Sequence, residues 1–257
     1  LSCIAGPLVS SDGHPFAQKA PNPYVQQLLE GPSMAMTFSH TLNTNPNRRR
    51  RARELISRSR STFRYIVVSP KNQTEIHCES VLEKKFTLLL EYSRAVIRYT
   101  EQPQRFEIEV GDELFFHYPD FELEMSDGSI VYAEVKSRQG LAKPGIAERL
   151  ALAKTFFEAR GFDYLIISND DLNARRMMLK NLAHLKRFRT CKPDIKSHLE
   201  SMVPSRQMTF GQLASDLDVL TAWELVANQL VYCNYSELIN DTAIVRPIQE
   251  NDHERLY

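Results

Sequence analysis

Tyr118-Pro119-Asp120, then thirteen residues, then Glu134-Val135-Lys136 places two carboxylates and one ammonium at a spacing that a single hairpin can close. Magnesium takes hard oxygen ligands and binds through one or two carboxylates together with water and phosphate. Such a cation polarises a scissile phosphate and lowers the pKa of its water. A lysine beside it can orient the attacking water or neutralise charge in the transition state. Two carboxylates brought together repel one another without a cation, so the set calls for Mg2+, with Mn2+ as a substitute. A plainer reading stands beside this one: Asp120, Glu122 and Glu124 as the wet face of a strand, and Glu134 and Lys136 as ordinary surface charges.

The flanking residues say how these groups are to be positioned. Pro119 has no N–H for a central ladder and marks a strand start or a sheet edge. Phe121, Leu123 and Met125 alternate with acids, Ser126-Asp127-Gly128-Ser129 is a hairpin turn, and Ile130 to Lys136 is the return strand. Period two puts Glu134 and Lys136 on one face of it, with Val131, Ala133 and Val135 on the other. Upstream, Val81, Leu82, Phe86, Leu89 and Leu90 predict a helix from about Ser80 to Tyr92, with Ser80 and Glu83 in a capping-box pattern. Glu83 is the candidate third carboxylate; Glu79, one turn earlier, is its rival, and Glu83 has capping as its plain role.

Further elements follow the same logic. Phe63 to Val68 is a strand ending in a turn at Ser69-Pro70-Lys71-Asn72, and Phe106, Ile108 and Val110 alternate in another. A helix is predicted from about Pro144 to Arg160, a buried strand from Tyr164 to Ile167, and a helix from about Leu172 to Phe188. The order implies a mixed sheet covered on both faces. Beyond a linker with Pro193 and Pro204, Thr209 and Gln212 cap a helix from Phe210 to Leu217, and Thr221 and Glu224 cap one from Ala222 to about Tyr232. Strands at Tyr235 to Ile239 and Ala243 to Ile248 complete a winged-helix pattern. The divisions are therefore residues 1–47, expected to be largely disordered, a catalytic domain over 48–190, and a linker with a small winged-helix domain over 191–257.

Net charge is zero, but its distribution is uneven. Arg48, Arg49, Arg50 and Arg51 open one basic stretch, and a second runs from Arg175 to Lys196, either side of acids between Glu107 and Glu134. Cations flanking an acidic centre suit a protein that grips phosphates around a metal; Arg138 and Lys143 are further candidate DNA contacts. A disordered arm and a solvated helix face are the plain readings of the two stretches. Four dispersed cysteines argue against a disulfide framework or a structural zinc and fit a reducing cytoplasm. No apolar run is long enough to span a membrane, and no signal peptide is expected. The chain opens on Leu1, with Met34 and Met36 as candidate starts.

Glu79-Ser80-Val81-Leu82-Glu83-Lys84-Lys85-Phe86, Val96 to Tyr99 with Gln102-Pro103, Tyr118-Pro119-Asp120-Phe121, Glu134-Val135-Lys136, Glu148-Arg149 and Tyr164 to Ser168 together resemble TnsA, the endonuclease subunit of heteromeric, Tn7-like cut-and-paste transposases. The resemblance covers roughly residues 63 to 190 and, more loosely, the C-terminal pattern. It implies an α/β fold of the restriction-endonuclease-like, PD-(D/E)XK type, a mixed sheet flanked by helices. It implies catalytic residues Glu83, Asp120, Glu134 and Lys136, and metal ligation by Glu83, Asp120, Glu134 and Val135. Some members carry Gln where this chain has Glu134. The implied activity is Mg2+-dependent cleavage of double-stranded DNA at the 5′ transposon ends, beside a TnsB-like transposase and a TnsC-like AAA+ ATPase. The helix from Ala222 has no Lys or Arg, so the C-terminal unit is expected to dock a protein, the ATPase, rather than read DNA. A stand-alone restriction or repair nuclease of the same fold and a non-catalytic DNA-binding adaptor remain as alternatives.

Overall fold

The computed structural model describes residues 65–249, apart from 111, 112 and 191, together with 252. The expectations for residues 1–47, for Arg48–Arg51 and for the strand start at Phe63 lie outside the described residues.

The described chain opens with an antiparallel hairpin, β1 (Tyr65–Ser69) and β2 (Thr74–Cys78). The helix that follows, α1 (Val81–Tyr92), begins where Ser80 caps it, its hydroxyl accepting from the Glu83 N–H. Its inner stripe of Phe86, Leu89 and Leu90 is fully buried. β3 (Val96–Glu101) comes next, then a second hairpin, β4 (Phe106–Val110) with β5 (Glu113–His117). β6 (Phe121–Met125) and β7 (Ile130–Lys136) turn through Gly128, whose φ of 83° lies in the left-handed region. A short helix, α2 (Arg138–Leu141), leads into α3 (Ile146–Glu158), which crosses over to β8 (Asp163–Ser168).

The central sheet has the order β3-β6-β7-β8, with the first three strands antiparallel and β7 parallel to β8. This is the mixed sheet between helices that the element order implies. β7 is central, and every residue from Val131 to Val135 is buried. One core holds Val131, Ala133 and Val135 against α1 side chains such as Phe86 and Leu90. The other holds Tyr132 and Tyr164 against Phe157 of α3 and Ile108 of β4.

The sequence pattern does not mark β2, β3 or β5 as strands, and the Phe106 strand pairs elsewhere than its alternation suggests. β2 and β3 carry polar residues at half their positions and give little alternation. The Phe106 strand, expected among the sheet strands, pairs among the described residues with β5 alone, and this hairpin lays Phe106 edge-on to Tyr132, with the ring centroids 5.2 Å apart. The helix expected from Leu172 to Phe188 is two helices, α4 (Asn169–Ala174) and α5 (Arg176–Leu185), then a 3-10 turn (Lys186–Phe188). A capping box of Ser168 and Asp171 starts α4 early, and Arg175 leaves helical geometry between the two.

Beyond β8 the linker is partly helical: α6 (Pro193–Glu200) begins with Pro193 in its first turn. β9 (Met208–Thr209) precedes α7 (Phe210–Asp216), which has the expected Thr209–Gln212 box. α8 (Val219–Ala227) starts a turn earlier than Thr221 suggests, because Asp218 caps it by accepting from the Thr221 N–H. Strands β10 (Val231–Cys233) and β11 (Ile244–Pro247) close a sheet of order β10-β11-β9. The strand expected at Tyr235 to Ile239 does not form; the carbonyls of Tyr235 and Glu237 accept instead from the Asn181 side chain of α5. Leu225 and Val226 of α8 share one continuous core with Leu182, Leu185 and Phe86.

A buried acid ties these parts together. Glu91 of α1 accepts from the hydroxyls of Ser69 and Tyr99 and from the guanidinium of Arg189 at 2.8 Å. Arg189 belongs to the second basic stretch, and here it is spent on the interior rather than on a ligand. Nearby, Lys71 donates to the carbonyls of Leu90, Ser93 and Val96, 2.6 Å each, and burial brings its pKa down to about 7. Removing one member of a buried ion pair strands the other without compensation, so Glu91→Ala lowers unfolding stability by about 3–5 kcal/mol. Urea denaturation of the variant beside wild type checks this.

Candidate active site

The register of β6 with β7 ends at Phe121 opposite Ala133, and one step further brings Asp120 alongside Glu134. Asp120 leaves the end of β6 behind Pro119, and its Oδ2 accepts from the Val135 N–H at 2.8 Å. That bond fixes the carboxylate against the strand carrying the other two groups. The Lys136 ammonium sits between the acids, 2.5 Å from Glu134 Oε1 and 3.8 Å from Asp120 Oδ2. The hairpin thus assembles Asp120, Glu134 and Lys136 at one end of the sheet. The Val135 side chain lies in the core, so its isopropyl group is turned away and only its main chain faces the acids.

Glu134 is almost fully buried, and its second oxygen, Oε2, has no hydrogen-bond partner among the described residues. His117 Nε2 stands 3.9 Å from it and lies 2.9 Å from the Tyr164 hydroxyl. Tyr164 in turn stacks on Phe157 with the rings 6° from parallel. His117 and Tyr164 therefore form the floor under Glu134, and the acid–lysine spacing points to neither. Tyr164 left a usable signal, since it falls two residues before the partner of Glu134 on a parallel neighbour, Ile166. His117 left none, because β5 lies off the main sheet.

Glu83 reaches the same region from the N-terminal end of α1. Its carboxylate is engaged locally, accepting from the Glu79 N–H and the Ser80 hydroxyl, 2.8 Å each, so the capping role is real. Burial, with the Asp120 carboxylate next in importance, pushes its pKa up to about 7. Burial and the charge of Asp120 likewise push Glu134 up to about 7. Burial raises Asp120 too, against the pull of Lys136 and of the Val135 N–H. Burial disfavours the Lys136 ammonium, yet Asp120, Glu134 and Glu83 together hold its pKa above the ordinary value. Three acids and one internal cation leave an excess of negative charge whenever all are ionised.

Among the described residues no group of three or more His, Cys, Asp or Glu side chains is already gathered as a metal cage. The residues present nonetheless fit a hard divalent ion of the kind that needs only one or two carboxylates, with water and phosphate supplying the rest. The unpartnered, buried Glu134 Oε2 and the burial that raises all three acids are the features that fit. Of the expected DNA contacts, Arg138 and Lys143 are exposed just beyond β7, and Arg138 is held by its N–H donating to the Asn169 side chain.

A carboxylate whose pKa is raised by folding contributes stability at low pH and loses it as pH rises through the folded value. For Glu83 and Glu134 that loss falls between their ordinary value of 4.5 and about 7. His117, lowered by burial to about 4, acts in the opposite sense over a similar range. The expected result, without divalent metal, is a difference in melting temperature between Glu83→Gln/Glu134→Gln and wild type that grows in the variant's favour as pH goes from about 4.5 to about 7. A flat difference across that range in a thermal-shift series would show that folding does not raise the pKa of these acids.

Residues 93–169, from just before β3 to the start of α4, match the family model described as TnsA-like endonuclease N terminal. No curated protein matches the chain. Glu83 lies outside the matched segment, while Asp120, Glu134 and Lys136 lie inside it. It is this segment, with its hairpin of two acids and a lysine, that is similar to the TnsA-like endonuclease N-terminal domain.

Proposed function

We propose that this protein is the DNA endonuclease subunit of a Tn7-like, cut-and-paste transposase, hydrolysing a phosphodiester bond at each 5′ transposon end with Mg2+ or Mn2+. The observation that carries this reading is the juxtaposition of Asp120, Glu134 and Lys136 at one end of the sheet, inside the TnsA-like segment. Asp120, Glu134 and the main-chain carbonyl of Val135 would hold the cation, with Glu83 completing the set from α1. The bound ion supplies polarisation of the phosphate and a water of lowered pKa. The chain's own residues do the rest. The Val135 N–H keeps the Asp120 carboxylate pointed at the site. The floor of His117 and Tyr164 leaves Glu134 Oε2 shielded from water. Lys136 bridges the acids in the absence of a cation and, being partly exposed, can turn toward a phosphate oxygen to neutralise developing charge. Arg138 and Lys143 would contact the backbone on either side of the cut, with Arg48 to Arg51 adding to that grip.

The same reading assigns residues 48–190 to the nuclease and 191–257 to a winged-helix unit that meets a TnsC-like ATPase, with a TnsB-like transposase acting on the other strand. Leu217, Val219 and Leu220, exposed around the turn between α7 and α8, supply an apolar surface for such a protein contact. The buried residues of α8, Ala222, Leu225 and Val226, belong to the chain's own core instead.

Calorimetric titration with Mn2+ is expected to show saturable binding that Asp120→Ala abolishes. Lys136→Ala should keep the metal yet lower nicking of a plasmid carrying transposon ends by on the order of 10²-fold, with the partner proteins supplied. No Mn2+ binding by wild type and no metal-dependent nicking would leave the adaptor reading in its place. Vigorous cutting of any plasmid without partners would favour a stand-alone nuclease.

A further inference from the structure

From Leu172 to Pro193 the sequence contains no Asp or Glu. On α5 and the 3-10 turn after it, Leu179, Leu182 and Leu185 are buried toward the core. The opposite face carries Arg176, Lys180 and Arg187, at intervals of four and seven residues, and all three are exposed. None of them forms an ion pair with a described residue, unlike Arg189, which is committed to Glu91. At a rise of about 1.5 Å per residue the stripe is about 16 Å long. One strand of a duplex presents a phosphate about every 3.4 Å, so the stripe spans several of them. The chain as a whole is neutral, so an acid-free run of this length is a local feature and not a consequence of overall charge.

The stripe also starts at the right place. β8 runs parallel to β7 with Ser168 beside Lys136, α4 begins at the next residue, and α5 follows directly. Its first cation, Arg176, is therefore eight residues along the chain from the partner of the candidate catalytic lysine. α5 packs against α1, the helix that carries Glu83.

We propose that Arg176, Lys180 and Arg187 form a phosphate-backbone track for duplex DNA, leading from the cleavage site along α5. It rests on the nuclease reading and adds to it a surface whose role is positioning: contacts to phosphate orient the duplex without reading its sequence. Three such contacts each release a condensed counterion, which makes the salt dependence of binding the diagnostic quantity.

The test is fluorescence anisotropy of a labelled duplex with the full-length chain in EDTA, where no cleavage intervenes. R176A/K180A/R187A is compared with wild type and with R98A/K154A/R206A, which removes the same charge from other faces. The stripe variant is expected to bind about ten-fold or more weakly at low salt, with a slope of log Kd against log salt flatter by roughly 3. The comparison variant should stay near wild type in slope, and all three proteins should share one melting temperature, since the substituted side chains are exposed. Equal losses in both variants would overturn the track, as would an unchanged slope in the stripe variant or a wild type that does not bind duplex. Because the assay needs no metal, a failed track with intact Mn2+ binding and nicking would leave the nuclease reading standing. A working track with neither would remove that reading and keep the surface.

Discussion

Everything at the candidate site hangs on the register between β6 and β7. Phe121 opposite Ala133 sends Glu134 and Lys136 to one face of a central strand and Val131, Ala133 and Val135 to the other. A slip of one residue would put the charges into the α1 core and the valines beside the acids. The register is held from both ends. The turn through Gly128 sets the pairing at one end, and the Val135 N–H bond to Asp120 closes it at the other. Between them, both faces of β7 are packed, so no alternative pairing keeps the apolar residues covered.

That same burial creates the electrostatic problem that gives the site its character. Asp120 and Glu134 are held where water solvates them poorly, and Lys136 compensates for only part of their combined charge. Burial raises the pKa values of Glu83, Asp120 and Glu134, and the charge of Asp120 adds to the rise at the other two. A divalent cation would relieve the imbalance directly, and the proposed metal-assisted hydrolysis rests on that.

A second charged cluster has a different job. Glu91 draws the β1–β2 hairpin, β3 and the segment after α5 onto one helix, and Lys71 satisfies carbonyls at that helix's end. The helix so fixed is the one that delivers Glu83. The C-terminal helices join the same core, so their packing and the placement of α1 are coupled through shared side chains such as Leu182 and Phe86.

The sequence alone determined the local chemistry: the hairpin turn, the alternation that sorts Glu134 from Val135, the caps at Ser80 and Thr209, and the acid–lysine set itself. These depend on residues near one another in the chain, and the turn, the alternation and the caps lie in the structure where the sequence places them. Only the tertiary structure decided that the Phe106 strand leaves the sheet, that Arg189 is an interior cation, and that His117 and Tyr164 lie beneath Glu134. It also decided that the Asn181 side chain takes the carbonyls of Tyr235 and Glu237, where alternation suggests a strand. Each of these is set by a contact between residues far apart in sequence, where burial and competition for hydrogen bonds outweigh local propensity.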